Sequence, residues 1–255
     1  MKGTRRELEW GQARRYLLVS AAGGRRPRFA VRAALPVWLV VVAYAVAMAY
    51  VESAAVLYLR TIYGGIDPVG PRHTVFNPLP DFVWVEIGRE TATMIMLLAV
   101  GWLAGRGVWG KIGAFALAMG AWDIFYYLFL LLFAGWPSSP WAIDVLFLIP
   151  LPWWGPVIAP IVCAAVMVVA GAAIMARQLG DGLPRPSQEV WLAVLVGSVL
   201  CLSAFMLDAL VASLGGLEAA YEVRAGPFPW PMYLAGLALA VVGLWRGLLR
   251  AQEAA

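Results

Sequence analysis

Six long apolar stretches constrain this chain more than any other feature. They cover about 34–59, 82–104, 112–134, 155–176, 190–214 and 232–249. Each approaches or exceeds the ~20 residues that an α-helix needs to cross a ~30 Å hydrocarbon layer. Inside a bilayer every backbone N–H and C=O must find a partner within the segment, so runs of this length read as transmembrane helices. The expected fold is all-α: a polytopic, multi-pass integral membrane protein with a bundle of about six transmembrane helices spanning 34–250. With 62% hydrophobic and 13% charged residues, the chain stands well apart from soluble domains at about 25% charged. The first stretch is longer than a crossing requires and should tilt or protrude. Ala47-Met48-Ala49 has the A-x-A pattern of signal-peptide cleavage, yet the apolar run continues for about ten residues beyond it, so the stretch is read as a retained span.

Charge supplies an orientation. Lys2, Arg5, Arg6, Arg14, Arg15, Arg25, Arg26, Arg28 and Arg32 all precede or open the first span, which marks that end as cytoplasmic. Arg106, Lys111, Arg177, Arg185, Arg246 and Arg250 then fall on the same side. Only Arg60, Arg72, Arg89 and Arg224 remain outside or near the outer face. Both termini are therefore expected in the cytoplasm, with the spans in a cytoplasmic (plasma or bacterial-type inner) membrane. The net charge of +4 is topological on this reading, and no nucleic-acid partner is expected. In the leader, residues 1–33, Leu8, Trp10, Ala13, Tyr16 and Leu17 alternate with arginines. That pattern suits a helix lying among anionic lipid headgroups, or equally a disordered basic leader.

The stretch 135–160 is the irregular one. It holds Pro137, Pro140, Pro150, Pro152, Pro156 and Pro160, and Trp136, Trp141, Trp153 and Trp154. Ser139 before Pro140 suits a helix N-cap, with Asp144–Ile149 forming about two turns before the next prolines stop them. Too short to span, this piece reads as an interfacial or re-entrant half-helix, or as an interfacial loop anchored by its tryptophans.

Acidic residues sit almost only in the outer halves of the apolar stretches, where each carboxylate costs several kcal/mol unless paired, protonated, hydrated or cation-bound. Glu86 and Glu90 share one helix face, with Arg89 beside them and Thr93 one turn further in. Asp123 lies near the middle of the third span, with Tyr126 and Tyr127 spaced to bring a phenol toward its carboxyl. Glu52 and Asp208 lie about two turns below the outer ends of the first and fifth spans, and Asp144 lies in the irregular stretch. The candidate pathway is thus Glu52, Glu86, Arg89, Glu90, Asp123, Tyr126, Tyr127, Asp144 and Asp208. The fourth and sixth spans lack interior ionisable residues and read as walls; Gly236-xxx-Ala240 and Gly243-xxx-Gly247 permit close helix contact on the sixth.

The single histidine, His73, lies in a predicted outer loop, which excludes bis-histidine haem within the bundle and any two-histidine metal site. No cofactor is predicted; an oxygen-rich site for a hard divalent cation is compatible with the acids. Cys163 and Cys201 lack CxxC partners and read as small buried hydrophobes. Three functions follow. The first is a transporter or channel-like protein whose outward-facing acidic cavity handles protons, cations or a small solute. The second is a structural or assembly subunit whose acids meet a membrane protein partner or a second copy of itself. The third is a carboxylate-based membrane-embedded enzyme acting on a lipid-soluble substrate.

Overall fold

In the computed structural model, residues 29–63, 80–180, 186–223 and 225–249 are described. The leader over 1–28 and the loop holding His73 lie outside them. Six described helices are long and apolar enough to cross a membrane. They are α1 (Val31–Tyr63), α2 (Pro80–Ala104), α3 (Gly107–Ala134), α4 (Ile158–Leu179), α5 (Gln188–Ala212) and α7 (Trp230–Leu249), with a short α6 (Leu217–Glu222) before the last. Their outer surfaces carry large exposed apolar side chains such as Leu103, Trp84, Val169 and Leu132, as lipid-facing helices should. α1 runs unbroken through Ala47–Ala49 with Pro36 near its start.

Two helix blocks result. In the first, α3 packs between α4, α1 and α2; in the second, α5 packs along α7. Small residues set both seams. A Cβ on Gly171 would come within 2.5 Å of the Gly113 carbonyl, and one on Gly197 within 2.5 Å of the Ala240 nitrogen. Gly236 and Gly243 press against α5 in the same way, so the small residues of the sixth span do mark a contact face. α4 meets α7 more sparsely, and the remaining join between the blocks comes from a structure the sequence reading did not anticipate.

That structure corrects the expected half-helix. Residues 143–156 form an antiparallel hairpin, β1 (Ile143–Phe147) with β2 (Trp153–Pro156), pairing Asp144 with Gly155, Val145 with Trp154 and Phe147 with Trp153. β-branched and aromatic residues favour the pleated form, and Pro150 and Pro152 fall in the connecting turn, where they forfeit no ladder donor. Ser139 does accept a backbone N–H, from Trp141 at 3.1 Å, but in a turn that leads into a strand. Val157 and Ile158 donate back to Ala142 and Pro140, closing the chain at the base of the hairpin. A two-stranded hairpin is marginal alone. This one is clamped: Phe147 packs on Trp122 of α3, and Trp153 stacks on Phe205 of α5 at 6.3 Å and 9°.

At the opposite end of the bundle, Arg177 also departs from expectation. Counted above among the loop cations, it is fully buried in the last turn of α4, with Phe29 5.8 Å from its guanidinium. A cation there complements the carbonyl end of the helix dipole.

Candidate functional site

α1 and α3 end, and α2 begins, at the hairpin end of the bundle. About three turns in from those ends, Glu52, Glu90 and Asp123 reach similar depth. The hairpin lies across them. Between these elements is a cavity of about 90 Å³ lined by Glu52, Glu86, Arg89, Glu90, Thr93, Trp122, Asp123, Tyr126, Tyr127, Asp144 and backbone and side chains of Val145 to Leu148, with Val56 and Leu59 toward the end of α1. Eight of the nine residues singled out in the sequence therefore meet around one space.

Asp208 does not line it. Its carboxylate accepts the Gly226 N–H at 2.7 Å and so ties α5 to the chain entering α7. The Arg60 side chain is outside the described residues.

Within the cavity the polar groups fall into three sets. Arg89 is the cation of the first: its guanidinium donates to Glu86 at 2.9 Å and is ion-paired with Glu52, which also accepts from Thr93. Glu52, only 5% exposed, thus has a charged and a hydroxyl donor. Ser53 beside it is not free to help, because its hydroxyl is directed at the carbonyls of Ala49 and Tyr126. The second set holds the hairpin. Glu90 accepts the Leu148 N–H at 2.8 Å, and Tyr127 donates to Asp144 at 3.1 Å. Tyr221 of α6 donates to the Leu148 carbonyl at 3.3 Å, and burial, reinforced by Glu90, pushes its phenol above the ordinary value.

The third set is Asp123 and Trp122. The expected Asp123–tyrosine pair gives way to the Tyr127–Asp144 bond, because the hairpin brings a second carboxylate to the same phenol. Among the described residues Asp123 has no hydrogen-bond or ion-pair partner. The Trp122 indole N–H, on a side chain 5% exposed, has none either. That buried, unpaired indole N–H costs about 1–3 kcal/mol unless water or a ligand meets it.

Five carboxyl groups and one guanidinium line the cavity, an excess of four negative charges if all ionise. No set of three described acids, cysteines or histidines is arranged as a preformed metal cage. Sequence reasoning missed Trp122, Leu148 and Tyr221. Tyr221 lies 73 residues from Leu148, and no local pattern announces such a contact. Glu52 and Ser53 are adjacent, but only the fold shows that one faces the cavity and the other the helix seam. Comparison with protein families, with curated proteins and with solved structures gave no match to this chain.

Proposed function

We propose that this is a membrane protein that conducts or exchanges protons and small cations through an outward-facing acidic cavity. The observation that carries the reading is the convergence of five carboxyl groups, with a single guanidinium, on a space of about 90 Å³. Such a volume suits several water molecules or a hydrated ion, since one buried water needs roughly 10–15 Å³. It falls well short of the ~300–1,000 Å³ of small-molecule pockets, which weighs against an enzyme that encloses a lipid-soluble substrate. Convergence also weighs against an assembly subunit, whose acids would be displayed on an outer face for a partner.

Asp123 is the binding group in this reading and Arg89 the fixed counter-charge. Glu52 and Glu86 are held by Arg89, Glu90 by the Leu148 amide and Asp144 by the Tyr127 hydroxyl, so the acid free to exchange a proton for a cation is Asp123. The Trp122 N–H would orient a water beside it. The positive-inside bias supports a mouth facing away from the cytoplasm. Acids at the mouth attract cations and raise their local concentration. Protons and cations compete for the same carboxylate, so cation affinity should rise with pH.

The test is flux in vesicles holding the purified protein under an imposed cation or pH gradient. Wild type should show a proton- or cation-dependent flux that changes between pH 5 and 8, and Asp123→Asn should reduce it at least tenfold while remaining folded. Absent or pH-independent flux from a folded wild-type protein would remove the reading and favour the subunit.

A further inference from the structure

A second cavity, of about 350 Å³, lies between the start of α5 and the last turns of α7, at the end of the bundle opposite the hairpin. The two helices touch at Gly243, where a Cβ would come 2.9 Å from Val194, and that seam borders the cavity. Two charges share the space: Glu189 in the first turn of α5 and Arg246 in the last turn of α7. Both are exposed. Among the described residues the ion pairs are those of Arg89, and neither Glu189 nor Arg246 has a hydrogen-bond or ion-pair partner. An acid and a cation that line one cavity without neutralising each other offer separate sites to a ligand that carries both signs.

The rest of the lining sets the source of that ligand. Leu239 and Val242 are exposed apolar residues of the same cavity. Leu239 is seven residues before Arg246, about 10 Å along α7, so the cavity runs from charged helix ends toward the interior of the span. A soluble zwitterion would leave that length unfilled, whereas a phospholipid fills it with glycerol and its first methylenes. Trp245, 63% exposed beside Arg246, is the amphipathic ring expected at headgroup level. We propose that this cavity binds a zwitterionic phospholipid with a primary-amine headgroup, of the phosphoethanolamine type. Arg246 takes the phosphate and Glu189 the ammonium. Ser187, whose oxygen already accepts the Val190 N–H at 3.5 Å, has its O–H left to donate to the phosphate. A purely anionic headgroup would set negative charge against Glu189, and a choline would present methyl groups where the carboxylate needs N–H donors. The site rests on the six helices being membrane spans and does not depend on the function of the acidic cavity.

The full-length protein in detergent would be mixed with equal amounts of phosphatidylethanolamine, phosphatidylcholine and phosphatidylglycerol of the same acyl chains, and the retained lipid read by native mass spectrometry. Exposed ion pairs contribute modestly, so the expected preference for phosphatidylethanolamine is about threefold over each competitor. Arg246→Gln should reduce its retention by a similar factor, and Glu189→Gln should abolish the preference over phosphatidylglycerol. Val242→Trp, which fills the cavity and leaves both charges in place, should remove the preference altogether. All three positions are exposed, so helix content by circular dichroism should not change. Equal retention of the three lipids by wild type, a preference for phosphatidylglycerol or phosphatidylcholine, or a preference that survives both Glu189→Gln and Val242→Trp would overturn the proposal. Soluble phosphoethanolamine in large excess should leave the lipid bound; displacement by it would assign the site to a water-soluble zwitterion instead.

Discussion

Arg89 and Asp123 illustrate opposite ways of keeping charge inside an apolar bundle. Arg89 is bound on two sides, by Glu52 and Glu86, so replacing it leaves two carboxylates without compensation. Arg89→Ala should lower stability by about 3 kcal/mol, the low end for breaking a buried pair, because the guanidinium is partly exposed. Adding Glu52→Gln should recover a measurable part of that loss in thermal unfolding. Asp123 has no described protein partner to lose, so Asp123→Asn should unfold within about 1 kcal/mol of wild type. Both residues were visible in the sequence, Arg89 through its spacing from Glu86 and Asp123 through its central position. What the spacing did not reveal is which phenol serves which acid. Tyr127 lies four residues from Asp123, but a strand delivered Asp144 to the same hydroxyl.

Among the elements, the hairpin changes the picture most. The six helices were legible because length and apolarity alone define a span, and their observed ends differ from expectation by only a few residues. The stretch 135–160 was not, since prolines and tryptophans mark irregular backbone without choosing between a short helix and a strand pair. The choice is made by tertiary contacts with Trp122 and Phe205. Two predictions follow from how the hairpin is held. Glu90→Ala removes the acceptor of the Leu148 amide, and leaving that donor unsatisfied costs about 1–3 kcal/mol, so hydrogen exchange there should speed up by about 10- to 100-fold. Unchanged exchange would mean that Glu90 does not hold the hairpin. Gly155→Ala would press a methyl against the Phe205 ring and should cost about 1–3 kcal/mol in thermal unfolding.

At the scale of the whole molecule, a bundle of apolar helices keeps a small acid-lined cavity with room for several waters, proposed above to pass protons and cations. The carboxylates were legible as a set because each is costly in an apolar span. Their convergence was not, since Glu52, Glu90, Asp123 and Asp144 come from four separate elements. Asp208 shows the limit of inference from depth alone: it lies at a similar predicted level yet serves the loop before α7. The expected orientation predicts that single cysteines in the 60–80 and 215–230 connections are labelled from outside, and cytoplasmic labelling of either would reverse the cavity's direction. The most direct measurement is infrared difference spectroscopy of the reconstituted protein on adding cation, from pH 5 to 8, with proton release recorded in parallel. If Asp123 exchanges a proton for a cation, a carboxyl band disappears as cation binds, with protons released, and that signal is lost in Asp123→Asn. A wild-type spectrum unchanged by cation throughout that range, or a signal that persists in full in Asp123→Asn, would contradict it.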